Sequence, residues 1–180
     1  GGELTAVDAN PLDAVWRDQP EAPMALVIPH DITFAGESSG DKRARLAQAM
    51  TAEAVVLTAP DSIAWLLNIR GGDVAHSPLP LSLAILHDDG RVDLFLEAAK
   101  RGRGLGDHLG NEVSLQPADA FAGALDGLGK KSVQVDPGSA AAWVFERLAA
   151  AGAEIERGSD PCQLPKAIKN DVELAGARAS

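Results

Sequence analysis

The chain has 180 residues, 46% of them hydrophobic and 23% charged, the balance of a globular protein rather than a disordered one. Its net charge of -10 argues against nucleic acid as a partner and against docking on an anionic membrane. No apolar run approaches the roughly 20 residues that span a bilayer, no basic, apolar signal segment opens the chain, and one cysteine, Cys162, cannot build an internal disulfide framework, which fits a cytoplasmic setting.

Residues 3–7 read as a short strand with nothing ahead of them to pair it. A linker with four prolines follows, and Leu12, Val15 and Trp16 form a short helical anchor within it. It ends in Gly36-Glu37-Ser38-Ser39-Gly40, which fits G-x-S-x-G. From Asp41 the spacing predicts a helix with Leu46 and Met50 on one face and Arg43 and Arg45 elsewhere. Residues 54–59, "AVVLTA", have the β-branched, apolar character of a buried strand. Between them Thr51, Ala52 and Glu53 include no residue suited to a helix C-cap. That predicts an unusually short connection or the loss of a few loop residues.

In "PDSIAWLLNIRGGD", Asp61 or Ser62 caps a helix carrying Ile63, Leu66, Leu67 and Arg70, and Gly71-Gly72 ends it. "SLAILHDDGRVDLFLE" sets two strand-like runs on either side of Asp89-Gly90, a hairpin signature. Strands at "EVSLQP", "SVQVDP" and "AEIERG" then alternate with helices at "ADAFAGALDGLG" and "SAAAWVFERLAAAG". Such alternation specifies a layered α/β domain, and the hairpin makes its sheet mixed. A charged helix starts at Asn170 or Asp171 and runs to the last residue. Both ends of the chain thus read as interrupted units, which predicts a piece of a longer protein.

Ser38 has two readings. A nucleophile needs a buried strand before it and an acid and histidine after it. Pro29, His30 and Asp31 spoil the strand, and nothing ties His76, His87 or His108 to Ser38. The plainer reading makes Ser38 or Ser39 the cap of the following helix. The glycines of "KRGRGLGDHLG" complete no phosphate-binding motif and predict a mobile surface loop. Candidate metal ligands fall in adjacent pairs such as His30-Asp31, which a strand points to opposite faces. Cys162 reads as a buried thiol. Arg70 and His76 stand out: either they finish a helix and its turn, or a rigid rim presents them to something beyond the domain.

Three stretches resemble one family. Residues 34–46, "FAGESSGDKRARL", residues 61–83 with the pattern D-x-x-A-W-L-x-N-x-R-G-x-D, and residues 164–178 with K-x-x-K-N-x-x-E occur in the order found in the large cytosolic Xaa-Pro aminopeptidases (aminopeptidase P). These are three-domain relatives of creatinase and prolidase. The resemblance implies a three-layer fold with a largely parallel sheet flanked by helices. It implies that residues 1–38 are the end of a first domain and linker, 39–163 a creatinase-like second domain, and 164–180 the start of a metallopeptidase ("pita-bread") domain. Two divalent ions, usually manganese, would sit on ligands beyond this segment, so no catalytic or metal residue carries over. The implied partners are a peptide with proline at its second position, the protein's own catalytic domain and a second copy in a homodimer. Arg70 and His76 are the implied substrate-facing residues, although Ser77 stands where the family has Asn in His-Asn-Pro. A small serine hydrolase using Ser38 and a stand-alone binding or oligomerisation module are the competing readings.

Overall fold

The structure is a computed structural model that describes residues 2, 7 and 10–179. The strand expected over residues 3–7 lies, apart from Val7, outside the described residues. Leu12, Val15 and Trp16 do not anchor the linker. They sit in or beside a turn, 64%, 71% and 49% exposed. The linker is tied down later. Val27 is fully buried and its N–H donates to the Lys100 carbonyl at 2.7 Å. β1 (Ile28–Pro29) then pairs antiparallel with β3 (Ile69–Arg70). A short helix α1 (Ile32–Ala35) follows, capped by Asp31 and closed by Gly36 at φ 71°, a left-handed conformation that glycine adopts without strain.

α2 (Ser39–Ala49) starts on Ser38, whose Oγ accepts from the Asp41 N–H at 3.0 Å. Leu46 faces the core as expected. Lys42 and Arg43 are buried as well, and Arg43 Nη1 donates to the Gly90 carbonyl at 2.6 Å. Residues 50–53 close the junction to β2 (Ala54–Leu57), with the Glu53 N–H donating to the Ser132 carbonyl, so the short connection suffices.

The remaining strands are β4 (Leu83–His87), β5 (Val92–Phe95), β6 (Val113–Gln116), β7 (Ser132–Val135) and β8 (Glu154–Arg157). They form one six-stranded sheet in the order β6-β5-β4-β2-β7-β8. β4 runs against both its neighbours, β2 and β5, and every other pairing is parallel. The hairpin turns at Gly90, φ 83°. This is the mixed, largely parallel sheet the sequence predicts.

Helices cover both faces. Val55 and Leu57 point to one side of β2, where α2, α3 (Pro60–Leu67) and α4 (Leu105–Leu109) bring Leu46, Ile63, Leu66, Leu67, Leu105 and Leu109. Ala54 and Val56 point to the other, against Phe121 and Leu125 of α5 (Phe121–Asp126) and Val144 and Leu148 of α6 (Ala142–Ala151). A strand buried on both faces needs an unbroken apolar run, and "AVVL" supplies it. α4 replaces the expected mobile loop: Leu105 and Leu109 lie one turn apart and both bury against the sheet.

α3 also differs from expectation. Its N-cap is Ala59, with Pro60 in the first turn, and it stops at Asn68 rather than at Gly71-Gly72. Asn68 takes φ 50°, which its short amide tolerates, and side-chain hydrogen bonds hold it there. Arg70 is therefore on β3, beyond the reach of the helix dipole. The chain finishes with α7 (Gln163–Ala167) and α8 (Asp171–Ala179).

Candidate functional site

A hollow of about 710 Å³ lies between α1 and α8. Trp65 and Asn68 form part of its lining at the end of α3, Phe34 comes from α1, and Lys42 and Arg70 supply positive charge. Arg70 is half-buried because β3 pairs with the strap at β1, and its Nη1 donates to the Ile69 carbonyl at 2.9 Å. Among the described residues no carboxylate is within ion-pairing distance of Arg70, so its other N–H groups remain available in the hollow. Burial lowers its pKa, and the field of Glu173 on α8 opposes that shift.

Lys42 is a buried cation with defined partners. Its Nζ donates to the Trp65 carbonyl at 2.9 Å and to Asn68 Oδ1 at 2.7 Å, 4.5 Å from the Trp65 ring centroid. Burial pushes its pKa down to about 8, partly countered by Glu173 and Glu37. His30 stacks on Phe34 with ring centroids 6.0 Å apart. Burial, then the charges of Arg70 and Lys42, lower its pKa and favour neutral imidazole. A second, smaller hollow of about 290 Å³ shares Trp65 and Glu173 and is bordered by Leu164 and Ile168. The arrangement can bind and orient a polar group against Arg70, on an aromatic and apolar wall.

His76 is elsewhere. It is exposed, at φ 62°, in a turn closed by the Ser77 N–H donating to the Val74 carbonyl, and it does not line the hollow. Ser38 spends its hydroxyl on the helix start, accepting from Asp41 N–H and donating to Asp41 Oδ2 at 2.7 Å. His30 and His108 border the same depression as Ser38, a proximity invisible in the sequence. Yet His108 Nε2 lies 3.1 Å from the Leu67 carbonyl, and among the described residues neither histidine hydrogen-bonds Ser38. Cys162 is fully buried, and desolvation pushes its thiol pKa well up, so it is unreactive. Among the described residues no three His, Cys, Asp or Glu side chains gather as a metal site would require.

Of the residues lining this hollow, sequence reasoning singled out Arg70, took His30 only as a candidate metal ligand, and did not single out Lys42 or Glu173. A signal existed for one of them: Lys42 precedes core residue Leu46 by four positions on the same helix face.

The family profile of the Creatinase/Prolidase N-terminal domain matches residues 18–173. Proteins called Probable Xaa-Pro aminopeptidase P from Leptosphaeria maculans and Aspergillus niger are each 32% identical over 99% of this chain, which covers 31% of each of them. The chain thus spans about a third of the length of these relatives. The crystal structure of an X-prolyl aminopeptidase from Caenorhabditis elegans, described as a cytosolic enzyme with a di-nuclear active site, overlays 98% of the chain with a TM-score of 0.86 at 23% identity, 30% of that chain being covered. An Xaa-Pro dipeptidase from Bacillus anthracis overlays 77% of it with a TM-score of 0.56 at 16% identity, over 38% of its own length. These two structural likenesses speak for the fold, and they agree with the profile on the sheet and its flanking helices. By profile and by fold, the chain belongs to the creatinase/prolidase N-terminal domain family.

Proposed function

We propose that this chain is the non-catalytic part of an Xaa-Pro aminopeptidase, shaping substrate access and assembly for removal of an N-terminal residue that precedes proline. Residues 1–38 are the end of a first domain and linker, 39–163 the second domain, and 164–180 the start of the domain that carries chemistry. The observation behind this reading is the 32% identity over 99% of the chain to proteins called Xaa-Pro aminopeptidase P, of which it covers 31%. The two metal ions of such an enzyme, which we take to be manganese, find no ligand set among the described residues. In this reading catalysis belongs to another part of the polypeptide, in keeping with the 31% of the relatives' length that the chain covers. What the chain contributes is a wall: the hollow with Arg70, and His76 on its exposed turn, facing a peptide held at the centre next door. Holding a peptide in register is worth orders of magnitude in rate even without a reacting group. We place the enzyme in the cytoplasm, as a homodimer.

The test uses the full-length gene product and an Xaa-Pro peptide. Arg70→Ala is expected to raise KM about tenfold with little change in kcat, the pattern of a lost binding contact. An unchanged KM would remove Arg70 from the site. Release of the first residue by the 180-residue chain alone, with manganese added, at a rate near that of the full-length enzyme would overturn the whole reading.

A further inference from the structure

We propose that Asn170 is a positioning residue whose amide interlocks α1 with α8 and thereby sets how α8 spans the Arg70 hollow. The consequence for substrate rests on the function proposed above; the interlock itself stands on geometry. Asn170 Oδ1 accepts from the Glu173 N–H at 2.9 Å, and Glu173 Oε2 accepts from the Asn170 N–H at 3.0 Å. That is a reciprocal capping box at the start of α8. A serine, threonine or aspartate would cap as well. Asn170 adds a contact for which aspartate has no donor and for which the single, shorter-reaching oxygen of serine or threonine is not placed: its Nδ2 donates to the Ala35 carbonyl, 2.8 Å away, in the last turn of α1. Ala35 is buried, so its carbonyl is a fixed point of the body.

The partner residue is equally constrained. A Cβ on Gly36 would lie 2.5 Å from Asn170 Oδ1, and Gly36 is at φ 71°. The contact therefore needs a donor and an acceptor on separate atoms of one side chain at position 170 and no side chain at position 36.

The interlock matters because α1 is the element of this chain that α8 packs against. None of its residues is buried. It lies across the hollow through Val172, Glu173, Ala175, Gly176 and Ala179, opposite Lys42 and Arg70. At about 1.5 Å per residue, a tilt of about 10° at its first turn moves its far end by about 2 Å. A displacement of that size exceeds the tolerance of a hydrogen bond, so contacts that a peptide makes with this wall are lost. Earlier in the chain Lys166 pairs with Asp61 in the first turn of α3, so the approach to α8 is fixed as well.

The experiment uses the full-length protein with Asn170→Asp, which keeps a capping oxygen but has no donor for Ala35, Asn170→Ser, whose one oxygen caps the helix from a shorter side chain and cannot also stand where Nδ2 stood, and Gly36→Ala, which disrupts the same contact from the other side. Hydroxyl-radical footprinting read by mass spectrometry reports Trp65, 8% exposed beside both hollows, with Trp143, 44% exposed and packed near Phe121, as the internal control. The expected result is at least a threefold rise in Trp65 labelling, constant Trp143 labelling, unchanged helical circular dichroism, and KM raised at least fivefold with kcat within twofold. Helix capping alone would move neither Trp65 nor KM in the aspartate and serine variants. Unchanged Trp65 labelling in both of them overturns the interlock. A rise in labelling with an unchanged KM keeps the interlock and refutes its role in positioning substrate. If the unsubstituted protein cleaves no Xaa-Pro peptide, the functional reading fails, and Trp65 labelling still decides the interlock.

Discussion

Lys42 shows how one residue can carry an electrostatic load that its neighbours define. Its ammonium is buried, and its pKa of about 8 stands below the ordinary 10.5 because burial disfavours the charged form. Neutral amine still has two N–H groups, enough for the Trp65 carbonyl and Asn68 Oδ1. The unfolded chain holds this proton to higher pH than the folded one, so stability must rise between about pH 8 and 10.5 and be flat, with the full burial cost present, below about 8. Urea midpoints should therefore improve for the wild type relative to Lys42→Met as pH is raised from 7.5 to 10. A difference that stays constant would mean that Lys42 is not desolvated. Composition alone assigns a lysine to solvent, and the two acceptors that draw this one inward come from α3, more than twenty positions away. Ser38 was legible because a cap is local: serine, a free N–H and Asp41 suffice.

Apart from α4, whose Leu105–Leu109 spacing lies among glycines, elements built from local signals match expectation, and those fixed by distant contacts do not. The β4–β5 hairpin follows from Asp89-Gly90 between two apolar runs, and β2 from its four consecutive apolar residues. The end of α3 was misjudged because Gly71-Gly72 is the louder local stop, whereas Asn68 terminates the helix through bonds to Lys42 and Glu37. The linker departs from expectation for the same reason. Its anchor is not the Leu12–Trp16 cluster but Asp73, whose Oδ1 accepts from the Ala25 N–H at 3.0 Å while Oδ2 accepts from the Leu81 N–H and Lys100 Nζ, each at 2.7 Å. Burial alone would raise the pKa of Asp73, but Lys100 and the backbone donors outweigh it and hold the carboxyl below its usual range. With both side chains buried, Asp73→Ala leaves an unpaired ammonium and should cost about 3–5 kcal/mol in chemical denaturation. The double variant Asp73→Ala/Lys100→Met should recover part of that loss. A cost below about 1 kcal/mol for the single variant would show that water reaches Lys100.

At the scale of the molecule, the sheet places β2 and β7 side by side although the chain visits β4, β5 and β6 between them. The hairpin is a local partnership and can assemble early, whereas Ala54 must wait for Val133. During synthesis, a nascent polypeptide that has emerged only as far as residue 131 carries β2 with one hydrogen-bonding side unmatched and its Ala54 and Val56 face without Val144 and Leu148 of α6. Such a rim recruits strands from other chains. A product stopped there should sediment with aggregates, while one continued through residue 157, which supplies β7 and the short, Glu- and Arg-tipped β8, should stay in the supernatant. The order of strands thus makes the cell's handling of half-made copies, as much as the finished architecture, a property written into this fold.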